Sequence, residues 1–273
     1  MMKFRINLLK NYTFKIFFLF ALVFFLILNA CQQNNSPSHQ IQDSTATPKQ
    51  LNKAEQIIEN SIQAHGGEQY THLEFEFDFR DYHYRYFQNG GLYRYERIFK
   101  DTLDQEIHDI MDNNSFVRKI NGKDSPLSDE WKQRYSNSIN SVMYFIMLPF
   151  KLRDPAVKAE YLSETQIKGQ PYHEIKVTFA QEGGGKDYED VFVYWFHRDK
   201  NTLDYFGYSY EVDEGGVRFR EAINPQKIKG ILFQDYVNYK AEKDQPVDAL
   251  DSLLNAGKLE KLSEIVNENI KVN

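Results

Sequence analysis

The chain has 273 residues, with 33 Lys and Arg against 39 Asp and Glu, 21 Phe, 18 Tyr and 2 Trp. A formal charge of −6 argues against nucleic acid and anionic lipid surfaces as partners, because both repel an acidic body. Cys31 is the only cysteine, so no internal disulfide can form.

Lys3, Arg5, Lys10 and Lys15 precede an unbroken apolar run, Ile16 to Leu28. Those 13 residues would span about 20 Å as a helix, short of the ~30 Å hydrocarbon core, so they read as a cleaved secretory segment. Leu28-Asn29-Ala30-Cys31 then fits a lipobox: a small residue before the cleavage point and a thiol after it for thioether formation. Acylation of Cys31 would also dispose of a lone reactive thiol in an exported protein. Two or three acyl chains, at ~0.8 kcal/mol per buried methylene, make the attachment effectively permanent. Gln32 follows the cysteine where an Asp would signal inner-membrane retention in enteric lipoproteins, which points to the outer membrane, facing the periplasm.

Residues 1–30 read as signal peptide and residues 31–50 as the lipidated N-terminus and a polar, flexible linker of about 24 Å root-mean-square span. Residues 51–273 suffice for one domain with its own core. Loss of the signal peptide removes four cations and takes the formal charge to −10.

The domain opens with a helix whose apolar face is Leu51, Ala54, Ile57, Ile58 and Ile62, with Asn52 as N-cap and Gly66-Gly67 as the stop. His65 falls in the last turn, where the helix dipole favours a cation. His72 to Phe79 alternates strictly and predicts a strand that buries Leu73, Phe75, Phe77 and Phe79. Further strands follow at 82–87, 92–99, 105–111 and 115–120, the first two joined by Asn89-Gly90-Gly91. Ser128 then caps a second helix with Trp131, Tyr135, Ile139, Val142 and Ile146 at helical spacing, ending at Pro149. Strands resume at about 158–168, 172–180, 189–198, 203–211, 217–223 and 230–240, with a helix near 247–255 and a short strand at 268–272. Short hairpins in this order predict an α+β fold: a single strongly curved antiparallel sheet of about ten strands, a half-barrel wrapped over helices.

No catalytic signature stands out. Lys186 after Gly183-Gly184-Gly185 lacks phosphate-loop spacing, and there is no Gly-x-Ser-x-Gly elbow. His39, His65, His72, His83, His108, His173 and His197 show no metal-ligand spacing, and Glu74/Glu76 and Glu189/Asp190 read as solvated faces. The sequence therefore points away from an enzyme, a metal or a cofactor. The aromatic load is the unusual quantity: several strands carry rings on both faces, so either both faces are covered or one lines an apolar or sugar-binding cavity.

The helix ending Gln63-Ala64-His65-Gly66-Gly67, the strands behind it and the segment Tyr144–Phe150 ending Leu148-Pro149-Phe150 resemble a family of Gram-negative lipoproteins related to the LolA/LolB-like lipoprotein-sorting and lipid-carrier fold. The resemblance covers about residues 51–240. It implies a concave face that accepts acyl chains under a helical lid. Val142, Met143, Phe145, Ile146, Met147 and Leu148 would be the lid, and Leu73, Phe75, Phe77, Tyr84, Tyr93, Tyr95, Val193 and Trp195 the lining.

Three readings follow. One is a monomeric, membrane-anchored carrier of an acyl chain, lipid or lipoprotein segment. Another is a structural lipoprotein with a packed core that binds an envelope protein. The third is a glycan-binding or enzymatic domain with Tyr and Trp as a sugar platform.

Overall fold

The computed structural model describes residues 50–180, 190–211 and 215–273. The signal segment, Cys31, the linker and the triple-glycine loop with Lys186 lie outside the described residues.

Asn52 caps α1 (Lys53–His65) as its position predicts. Its Oδ1 accepts the Glu55 N–H at 3.0 Å while the Glu55 carboxylate accepts the Asn52 N–H at 2.8 Å, a reciprocal box contributing about 1 kcal/mol. Ala54, Ile57, Ile58 and Ile62 are buried, but Leu51 precedes the cap and stays exposed. Gly66 ends the helix at φ +156, where a Cβ would lie 2.7 Å from Cδ1 of Ile231.

The expected single sheet of about ten strands is corrected by the structure. Fourteen strands among the described residues form two seven-stranded antiparallel sheets. The first contains β1 (His72–Phe79), β2 (Tyr82–Asn89), β3 (Leu92–Lys100), β4 (Glu106–Asp112), β5 (Phe116–Ile120) and β6 (Lys123–Ser125) as a meander. After α2 (Asp129–Ile146), the second runs through β7 (Val157–Ile167), β8 (Gln170–Phe179), β9 (Val191–His197), β10 (Leu203–Tyr210), β11 (Gly216–Ile228) and β12 (Ile231–Ala241). A short helix, α3 (Leu250–Asn255), precedes β13 (Glu260–Ile265) and β14 (Glu268–Val272).

These last two strands split between the sheets: β13 pairs with β12, and β14 pairs with β1. The link between them is pinned by Asn267, whose N–H donates to Asp235 Oδ1 at 2.9 Å, and Asn269 donates to Asp78 Oδ2 at 2.8 Å. At the far ends β6 and β7 pair on one side only, so the sheets do not close into a barrel. Sequence pattern missed β6 because Lys-Asp-Ser has no apolar residue, and β13 because its side chains are largely exposed.

Alternation gives each sheet an inner face. The inner faces, α1 and the end of α2 share one core, which includes Ile62, Phe75, Phe77, Tyr86, Met143, Tyr194 and Phe206. The outer face of the second sheet has its own cluster beneath α3, where Leu250 meets Trp195 and Phe219. Gly207 in β10 permits that approach, since a Cβ there would stand 2.5 Å from Leu250 Cδ1.

Candidate ligand-binding interior

Ser128 starts α2 by accepting the Trp131 N–H on its hydroxyl at 3.4 Å. The expected apolar stripe of this helix is buried only in its second half. Trp131 is 46% exposed, and Tyr135 is half-buried against Trp131 and Phe116, whereas Ile139 and Met143 are fully buried. The helix thus enters the core tip first. Met147 and Leu148 continue the buried run, and the Leu148-Pro149 peptide is cis.

The six residues expected as a lid fall into two sets. Met143, Met147 and Leu148 are buried, while Val142, Phe145 and Ile146 are half-buried at the rim. Phe145 stacks on Phe206 with centroids 5.6 Å apart and also meets Tyr208. Tyr144 and Tyr194 share a hydroxyl–hydroxyl hydrogen bond of 2.8 Å, and burial raises both phenol pKa values.

Six of the eight expected lining residues lie together on the inner face of the first sheet. Leu73, Phe75, Phe77, Tyr84 and Tyr95 are buried, and Tyr93 is half-buried against Tyr95 at 4.6 Å. Val193 and Trp195 are corrected: they face outward, into the cluster under α3. Both faces of β9 are apolar, so alternation fixes two sets without saying which one points in. The inner set is Phe192, Tyr194 and Phe196, and sequence reasoning did not select it.

This interior also holds charge. Asp109, fully buried, binds Arg97 (Nη2 at 2.7 Å) and Arg118 (Nε at 2.7 Å), with Ser138 of α2 accepting from Arg97 at 3.1 Å and the Tyr135 ring 3.8 Å from the Arg118 guanidinium. Lys151 donates to the Tyr95 hydroxyl at 2.8 Å, and burial brings its pKa down to about 8. On the second sheet, Arg220 is buried and donates to the Tyr208 hydroxyl at 3.0 Å. None of these was singled out from sequence. The alternation of Arg218 and Arg220 with Val217 and Phe219 was the available signal, but it assigns either face to either set.

His65 corrects the expectation of a helix-end cation. Its Nε2 accepts the Leu203 N–H at 3.1 Å, and burial pulls its pKa down to about 4, so the ring is neutral and ties α1 to the second sheet. Among the described residues no three His, Cys, Asp or Glu side chains converge on a metal position. His83 pairs with Asp78 at 2.7 Å, and His108 with Glu96 at 2.9 Å. Glu74 and Glu76 sit with Arg85, Arg94 and Glu96 around a shallow, charged groove on the outside of the first sheet. No helix among the described residues is long and apolar enough to cross a membrane.

The chain belongs to a family of unknown function (DUF6503), whose model matches residues 44–267. No curated protein matches it. Its fold is similar to that of a LolA superfamily protein from Nitrosomonas europaea, at 9% identity over 82% of this chain and 94% of that one (TM-score 0.46). It is also similar to a Vibrio parahaemolyticus domain described as an outer membrane lipoprotein-sorting protein, at 8% identity over 81% and 93% (TM-score 0.42). A DUF1329 family protein from Desulfovibrio piger matches at 10% identity over 82% and 94% (TM-score 0.38).

Proposed function

We propose that the protein is an envelope lipoprotein, held to the outer membrane by acylated Cys31, whose domain binds an apolar ligand between its inner faces without chemical change. The ligand class is an acyl chain, a lipid or an acylated protein segment. One observation carries this reading: the tip of α2 closes the interior through half-buried rings, not through backbone pairing. Phe145 rests on Phe206 and Tyr208, and these contacts can be exchanged one for one with hydrocarbon. Met143 and Met147, the deepest residues of the tip, adapt readily to a changed neighbour. A guest enters by taking the place of the tip, and each buried methylene contributes about 0.8 kcal/mol toward the exchange.

A second reading, a structural lipoprotein with a permanently packed core, is favoured by the complete burial of Met143 and Met147. Uptake separates the two. Residues 50–273 titrated with a fluorescent fatty acid should saturate at a single site and show slow exchange, as expected for tip displacement. No saturable uptake would remove the carrier reading and leave the packed core.

A further inference from the structure

The two inner faces hold two buried arginines that are treated differently. Arg97 and Arg220 are 6% and 9% exposed. Arg97 has a carboxylate: its Nε and Nη2 both donate to Oδ2 of Asp109, at 3.2 and 2.7 Å. Arg220 has none: among the described residues its one hydrogen bond is to the Tyr208 hydroxyl, and its Nη1 is buried without a partner. The amide oxygen of Asn238, directly opposite Arg220 across β11 and β12, is also buried and unpartnered, while its Nδ2 donates to Ser263 at 3.2 Å. The two residues are cross-strand partners on the inner face, Arg220 reaching toward Tyr208 of β10 and Asn238 toward Ser263 of β13. A buried guanidinium without an anion is costly, and an amide whose oxygen lacks a donor adds to that cost.

The register places this pair at the end of a chemical gradient. Across the inner face one row reads Ile175, Tyr194, Phe206, Arg220, Asn238, Ser263, from β8 to β13. It is apolar where Phe145 and Tyr144 cover it and polar where they do not. Among the described residues no carboxylate pairs with Arg220. Arg218 is a further cation one pair along the strand, and Lys240 beside it is already engaged by Glu260 at 2.9 Å. Net negative charge keeps the protein's exterior from anionic surfaces, but this patch of the interior is positive.

We infer that Arg220, with Asn238, seats the anionic head of an acyl-chain ligand, a carboxylate or a phosphate, while the tail lies along the rings of β9 and β10 beneath the tip of α2. The inference rests on the proposed apolar-ligand function and names the polar end of the guest. One oxygen of the head accepts from Nη1. A hydroxyl on the head, or a protonated oxygen, donates to Asn238; equally, the amide can turn and donate to the head itself. The tail replaces Phe145 on Phe206.

The test uses the full-length protein in non-ionic detergent and two photoreactive probes of equal chain length, a diazirine fatty acid and the matching fatty alcohol. Cross-links are mapped by peptide mass spectrometry. The fatty acid should label peptides of β10 and β12. Arg220→Gln should reduce that labelling tenfold or more, in line with loss of a charge-assisted hydrogen bond, and leave alcohol labelling unchanged. Arg220→Lys, which keeps the charge, should retain part of the signal and guards against a folding defect. Acetate or inorganic phosphate at millimolar concentration should not compete. Equal labelling of wild type and Arg220→Gln by the acid would overturn the head seat while sparing the apolar-ligand function. Labelling of inner-face peptides by neither probe would overturn both. Competition by free phosphate or acetate would overturn the tail-dependent form.

Discussion

The ring of Phe145 lies 15° from parallel with that of Phe206, centroids 5.6 Å apart, and this stack is one of the contacts by which the middle helix meets the second sheet. Replacing Phe145 with Asp removes the stack and the contact with Tyr208, and puts a carboxylate at the rim of an apolar interior. We expect a loss of about 1–3 kcal/mol in unfolding free energy, read from urea midpoints, together with loss of fatty-acid uptake. Full stability loss with unchanged uptake would mean that the tip does not guard the site.

His65 gives the domain a defined acid sensitivity. Its folded pKa is near 4, below the ~6.5 of an unfolded histidine. The unfolded chain therefore binds the proton first. The stabilisation is complete above about pH 6.5 and is lost as pH falls toward 4, up to about 3 kcal/mol. His65→Gln should have a lower melting temperature at pH 7.5 and a flatter dependence between pH 6.5 and 4.5. Parallel pH curves for the two proteins would contradict a neutral, buried ring.

Asp109 holds two inner-face arginines beneath α2, and without it both lose their carboxylate in a site closed to water. Asp109→Asn should cost about 3–5 kcal/mol, measured by urea unfolding. Asp104→Asn serves as a control: Asp104 pairs with Lys100 on the surface, and Asn tolerates its positive φ, so the midpoint should stay near wild type. Equal effects would show that the buried pairs do not hold the helix down.

Acylation at Cys31 is tested by phase separation of the expressed protein. Wild type should enter the detergent phase and incorporate labelled palmitate. Cys31→Ser should do neither, with the melting temperature of the domain unaltered. A palmitate-free wild type would remove the anchor.

Local signals carried most of the fold. Asn52, Ser128, Gly66 and the alternation of His72–Phe79 each specify one conformation through cap or pleat chemistry, and each is found as read except that Phe79, expected inside, is only half-buried at the strand end. The division into two sheets was not legible, because it depends on where the terminal strands pair. A polar stretch such as Glu260–Ile265 carries no mark of its partner. The site was half legible for a related reason. Leu73, Phe75 and Phe77 alternate with acids, which fixes the inward face, whereas Val193 and Trp195 alternate with Phe192, Tyr194 and Phe196. Only α3, docked on the outer face by contacts distant in sequence, decides between those two sets. Arg220 was invisible on the same grounds.

The most direct measurement is mass spectrometry of lipid carried by residues 50–273, expressed in the periplasm and purified without detergent. Wild-type protein should carry a bound acyl-chain species, at up to one per protein, that is absent from Phe145→Asp. A bare polypeptide mass, with no extractable acyl lipid from correctly folded protein, would contradict it.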